Sequence, residues 1–168
     1  MSLGKEYISQ VNRRMFTESV PRLLHCIEEI SDEQLWWSPN ENSNSIGNLV
    51  LHLTGNINQW INSGLGGDED TRTRQSEFDN RKDLDRAELI DDLNLAMDRA
   101  RQVIEQLEPA DLQTTYKVQG FTESGVSILM HVVEHLSYHV GQVTYIVKYL
   151  KNIDTGYYAG DDLDVTGD

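Results

Sequence analysis

Apolar residues recur at steps of three and four through most of this chain, which predicts amphipathic helices. The first runs from about Lys5 to Ile30, with Ile8, Val11, Met15, Leu23, Leu24, Ile27 and Ile30 on its apolar side. Pro21 lies inside it, where a missing N–H and a ring clash predict a kink or break. Ser31-Asp-Glu-Gln34 reads as a capping box opening a short extra turn, and Pro39 with the Asn/Ser run to Ser45 makes a loop. The second helix spans about Ile46 to Ser63, along a seam of Ile46, Leu49, Val50, Leu53, Ile57, Trp60 and Ile61. The third is capped by Asp85-Arg-Ala-Glu88 and carries Leu89, Leu93, Ala96, Met97, Ala100, Val103, Ile104 and Leu107 before Pro109 stops it. The fourth runs from about Glu123 to Lys151. Its Val126, Leu129, Val133, Leu136, Val140, Val143, Val147 and Leu150 alternate threes and fours, the pattern of left-handed bundle packing.

Four such helices predict an all-α four-helix bundle over residues 1–151, followed by an acidic tail over 152–168. Asp161–Asp168 reads as mobile or loosely docked. The connection between helices 2 and 3 is long. Its residues 68–84 are polar and aperiodic, beyond the usual length of a structureless loop, so a short turn or a cover over a site is expected there. Thr114 to Val118 is the best strand candidate, and it is short.

Charge narrows the partners. Fourteen basic against 28 acidic residues give a formal net charge of −14, which argues against nucleic acid and anionic membranes, since both need a basic face. The plain role of that acidity is solubility. The single cysteine, Cys26, excludes an internal disulfide framework. No apolar run is long enough to span a membrane and no leader pattern opens the chain, so the expectation is a cytoplasmic protein.

The chemistry concentrates in His131-Val-Val-Glu-His135-Leu-Ser-Tyr-His139-Val-Gly-Gln142, which holds three of the five histidines at steps of four. On a helix these share one stripe. His131 and His139 are about 12 Å apart along the axis, too far for one ion with ligands at about 2.0–2.1 Å. Adjacent pairs, about 6 Å apart, can chelate; these are His131 with His135, or His135 with His139. The stripe flanks the apolar seam, and His52, in Leu49-Val-Leu-His-Leu53, flanks the seam of its own helix in the same way. Two such stripes on neighbouring helices can line one groove, and three histidines with an open position are the composition of a catalytic zinc-type site. Helix-surface or core packing is the alternative for these rings. No Glu-x-x-His occurs, which disfavours a carboxylate-bridged di-iron bundle. Glu134 points about 100° away from His135 and is a poor general base. Gly120-Phe-Thr-Glu-Ser-Gly125 is followed by Val126 where a phosphate loop needs lysine. Trp36, Trp37 and Trp60 read as core aromatics or, less directly, as a dimer or ligand surface.

At Ser45-Ile-Gly-Asn-Leu-Val-Leu-His52-Leu-Thr-Gly-Asn56 and His131 to Gln142 the chain resembles the DinB-like (YfiT-like) superfamily, and in particular an uncharacterised subgroup of it. The likeness in helix order covers about residues 5 to 151. It implies a four-helix bundle, often a homodimer, with zinc or nickel on one histidine of the second helix and a His-x-x-x-His of the last. Here those are His52, His135 and His139. His131, Gln142 and Asn56 then stand beside the ligands or face the substrate, and Gly141 would allow close helix contact. Some relatives are thiol-dependent transferases or isomerases, so the resemblance implies a small-molecule substrate and a low-molecular-weight thiol as cosubstrate. A metal-coordinated thiol is deprotonated at neutral pH, which makes that chemistry reasonable. The alternative is a non-catalytic metal-binding or stress-associated protein.

Overall fold

A computed structural model describes residues 2–79 and 84–167. Four long helices form the bundle. The first consists of three consecutive stretches, Leu3–Asn12, a π-helical Arg13–Ser19, and Val20–Glu28. The second is Ile46–Ile57 with a π-helical continuation, Asn58–Ser63. The third is Arg86–Gln106 and the fourth Gly125–Lys151. The second helix packs against both the third and the fourth, and the first packs mainly along the fourth. One contiguous apolar core fills the space between them.

Pro21 does not break the first helix. The π-helical stretch ends just before it, and the wider turn re-registers the hydrogen bonds ahead of a residue that cannot donate one. Both anticipated capping boxes form, at Ser31 with Gln34 and at Asp85 with Glu88. Ser45 and Asn48 form a third, which fixes the start of the histidine-bearing second helix.

The strand candidate Thr114–Val118 forms, as Thr115–Val118 (β1), and it pairs antiparallel with Phe121–Ser124 (β2), which makes the segment before the fourth helix a β-hairpin. Gln119 and Gly120 turn it with φ of 51° and 80°, as a two-residue hairpin turn requires. The fourth helix therefore starts at Gly125, capped by Ser124, and not at Glu123. Its buried face is wider than the expected seam. Leu129, Leu136, Val140, Val143 and Val147 are buried as expected, while Val126 is exposed and Val133 only partly covered. Ile128 and Val132 are fully buried as well, on the side of the histidine stripe that faces the second helix.

Past the fourth helix, Asn152 adopts a left-handed conformation and caps it. Ile153 and Tyr157 pack on the core. The Tyr157 hydroxyl lies 3.0 Å from the buried Cys26 sulfur and 2.8 Å from the Thr144 hydroxyl. Burial and the Cys26 contact push that phenol up to about 12. Among the described residues, no helix is long and apolar enough to cross a membrane.

Candidate metal centre

The second and fourth helices bring His52, His135 and His139 together. One ligand atom from each lies within 4.8 Å of the others. His135 Nε2 is 3.0 Å from His52 Nε2 and 3.1 Å from His139 Nε2, close to the separation of about 3.3 Å for tetrahedral ligands on one zinc-sized ion. Of the two chelating pairs allowed by spacing, the structure joins His135 with His139. No fourth His, Cys, Asp or Glu joins the group among the described residues.

Proton placement favours a cation. Glu77 Oε2 is 2.8 Å from His52 Nδ1. An ionised carboxylate only accepts, so this nitrogen carries the proton and His52 Nε2 presents a lone pair. Arg72 Nη2 is also near Nδ1, at 3.2 Å, but it is closer to Glu77 Oε2, at 2.9 Å, and donates there. His139 Nδ1 donates to Gln142 Oε1 at 2.7 Å, which leaves the His139 Nε2 lone pair pointing inward. Between them stands His135 Nε2. The other nitrogen of that ring, Nδ1, is buried without a hydrogen-bond partner, so in the metal-free protein Nε2 carries the proton and donates to one of the two facing lone pairs. A divalent ion fits the same point by taking the place of that proton, which the ring can carry on Nδ1 instead.

Burial favours the neutral form of the histidines on the fourth helix. It holds His135 down at about 3, with further repulsion from His139, His52 and His131. Burial likewise depresses His139 and His131. Burial pushes the Glu77 carboxyl up, but hydrogen bonds from His52 and Arg72 and the guanidinium charge outweigh it and hold the group below its ordinary range. Ring nitrogens turned toward one point and an ionised carboxylate behind one of the rings form the orienting arrangement common around metal-bound histidine.

Sequence reasoning missed Glu77 and Arg72. They arrive from the connection between helices 2 and 3, where Ser76–Asp79 forms a single helical turn. The pair is buried, with side chains 9% and 4% exposed, and is joined at 2.6 Å. Arg72 is held in turn by Gln59 at 2.9 Å, and Gln59 by Asp70. A Cβ on Gly55 would lie 2.1 Å from Glu77 Oε1 and 2.9 Å from Arg72 Nε, so this glycine leaves the space in which the ion pair sits. Phe78, from the same turn, packs against the His52 ring at 5.0 Å between centroids. The described part of the aperiodic connection thus covers one side of the site, and its residues 80–83 lie outside the described residues.

The remaining anticipated residues stand nearby. His131 stacks on Trp60, 4.0 Å between centroids, and its Nε2 is 3.4 Å from Asn56 Nδ2. It lies beside the three clustered histidines without joining them. Trp60 is buried and donates to Gln119 Oε1 at the hairpin tip, whereas Trp37 stacks with the exposed Tyr149. Glu134 is exposed on another face. Gly141 makes no close helix contact: a Cβ there would meet nothing within 4 Å. It opens instead onto a groove that His139 and Gln142 also line.

A crystal structure of a DinB-like protein from Bacillus subtilis resembles this chain with a TM-score of 0.66 at 20% identity, over 86% of this chain and 94% of that one. A DinB-like protein from Bacillus cereus does so with a TM-score of 0.55 at 20% identity, over 80% and 87%. At this identity the likeness speaks for the fold. No curated protein matches the chain. The family model described as "Protein of unknown function (DUF1572)" matches residues 2–157. The chain therefore belongs to the DUF1572 family, with its three histidines set in a DinB-like helical bundle.

Proposed function

We propose that this protein is a divalent-metal-dependent enzyme acting on a small molecule, with zinc or nickel held by His52, His135 and His139. The observation that carries this reading is the convergence of three Nε2 atoms, two of them committed to lone pairs by Glu77 and Gln142. A three-histidine set without a fourth protein ligand matches a catalytic site that keeps an open position, whereas structural sites are closed by four. A bound ion supplies Lewis acidity, which lowers the pKa of a coordinated thiol or water. The protein's own part is orientation. Glu77 fixes the His52 ring, Arg72 fixes Glu77, Gln142 fixes His139, and Phe78 packs against the His52 ring.

By resemblance, the finer reading is S-transfer from a low-molecular-weight thiol in a homodimeric, cytoplasmic protein. Its test is thiol consumption with glutathione or bacillithiol and a chromogenic aromatic electrophile, using protein stripped with EDTA and reloaded with zinc or nickel. The expected result is metal-dependent turnover that His135→Ala abolishes. Tightly bound metal with no turnover of any thiol or hydrolysable substrate would instead favour the non-catalytic metal-binding role.

A further inference from the structure

The groove beside the three histidines has a distinct chemistry. It encloses about 670 Å³, within the range of about 300–1,000 Å³ for small-molecule sites. The fourth helix forms one wall and the loop before the second helix the other. Although a quarter of the chain is charged, none of the described lining residues is Asp, Glu, Lys or Arg. Two aromatic rings flank it, Tyr138 at 63% exposure and Tyr145 at 74%. They sit seven residues apart, on one stripe of the helix, with Gly141 between them. A glycine inside a helix is unfavourable relative to alanine, and no neighbouring atom requires one at this position; the space it leaves belongs to the groove. The side-chain amides of Asn42 and Asn44 and the hydroxyls of both tyrosines make no hydrogen bond to the described residues. His139 lines both the groove and the metal centre.

We propose that this groove binds a small uncharged molecule with a flat apolar body and hydrogen-bonding groups, an aromatic amide being the class that fits best. The rings offer stacking faces, and the free amides and hydroxyls offer neutral donors and acceptors. Away from the metal centre, an anion would meet no cationic side chain and a cation no carboxylate among the described lining residues; in either case a partly desolvated charge stays unpaired. Only the identity of the reacting end, the one nearest His139, rests on the metal-centre reading.

The test is an amide-resolved NMR titration of the full ¹⁵N-labelled protein with benzamide, and with benzoate and benzamidinium as matched anion and cation, with and without EDTA. Benzamide is expected to move the signals of Asn42, Ser43, Asn44 and Gly141. Gly141→Leu, which fills the groove while favouring the helix, is expected to weaken it at least about tenfold with metal content and helical circular dichroism unchanged. In EDTA, where no ion can hold a carboxylate, benzoate is expected to bind at least about tenfold more weakly than benzamide, as is benzamidinium. Absence of benzamide shifts, shifts away from the groove, equal binding by Gly141→Leu, or equal binding of a charged analogue would each overturn the proposal. The metal content of the same samples separates the two readings. Groove binding without any ion would leave this proposal standing and sink the metal centre, and bound ion without groove binding would do the reverse.

Discussion

Glu77 and Arg72 are two charges removed from water together, side by side behind His52. Breaking such a pair by removing one partner costs about 3–5 kcal/mol, while replacing both with apolar residues of similar volume is often close to neutral. Glu77→Gln is accordingly expected to lower stability by about 3 kcal/mol and to loosen metal binding about 10–100-fold. The double variant Arg72→Met, Glu77→Leu should regain most of the stability and none of the affinity, because His52 then lacks the acceptor that fixes its tautomer. Chemical denaturation beside a chelator competition separates the two effects, and recovery of affinity in the double variant would deny Glu77 its orienting role. The histidines also set a pH dependence. The unfolded chain protonates its imidazoles near about 6.5, but the folded state holds His135 down at about 3. Between these values the unfolded state binds more protons, so this contribution is present above about pH 6.5 and is lost as pH falls. Glu77, held below its ordinary range, adds a loss of the same sign at the lower end. Urea midpoints of metal-free protein should fall from about pH 6.5 toward about pH 3, and less steeply in His135→Leu; equal slopes would contradict the burial argument. At this scale the histidines were legible because a step of four on a helix is a strong signal. Glu77 was not, since one of 28 acidic residues in an aperiodic stretch carries no local mark of burial.

Among the elements, the connection between helices 2 and 3 matters most. Its single turn, Ser76–Asp79, is anchored at the second helix by Asn48, which donates to the Glu77 carbonyl at 2.9 Å, and by the Glu77–Arg72 pair over Gly55. Gly55→Ala should raise intrinsic helix propensity by about 1 kcal/mol, yet its Cβ would displace the ion pair. The expected outcome is a net loss of stability with weakened metal binding and an intact helical spectrum. A more stable variant of unchanged affinity would show that the pair is not seated where the structure puts it. The long helices were legible from their apolar spacing, and the second helix's whole seam is buried as anticipated. Most of the fourth helix's seam is legible too, but not the added burial of Ile128 and Val132, because spacing alone does not tell that histidines share the interior and tyrosines face out. The first hairpin strand is legible as a candidate and its partner is not, because each strand has only four residues and alternates weakly. The π-helical stretch before Pro21 has no sequence signature beyond the proline itself.

The whole molecule is an acidic helical bundle whose second and fourth helices supply the three histidines and whose longest connection closes over one of them. The bundle and its family were legible because helix order and the two histidine motifs occur together over most of the chain. What the bundle does with a ligand was not, since it depends on groove residues contributed by a loop and by the outer face of the fourth helix. The measurement that tests the account most directly is elemental analysis of untagged wild-type protein beside His135→Ala, after incubation with zinc or nickel and removal of excess. The account predicts about one ion per wild-type chain and its loss in a variant that keeps its helical spectrum. No retained ion in the wild type, or the same amount in both proteins, would contradict it.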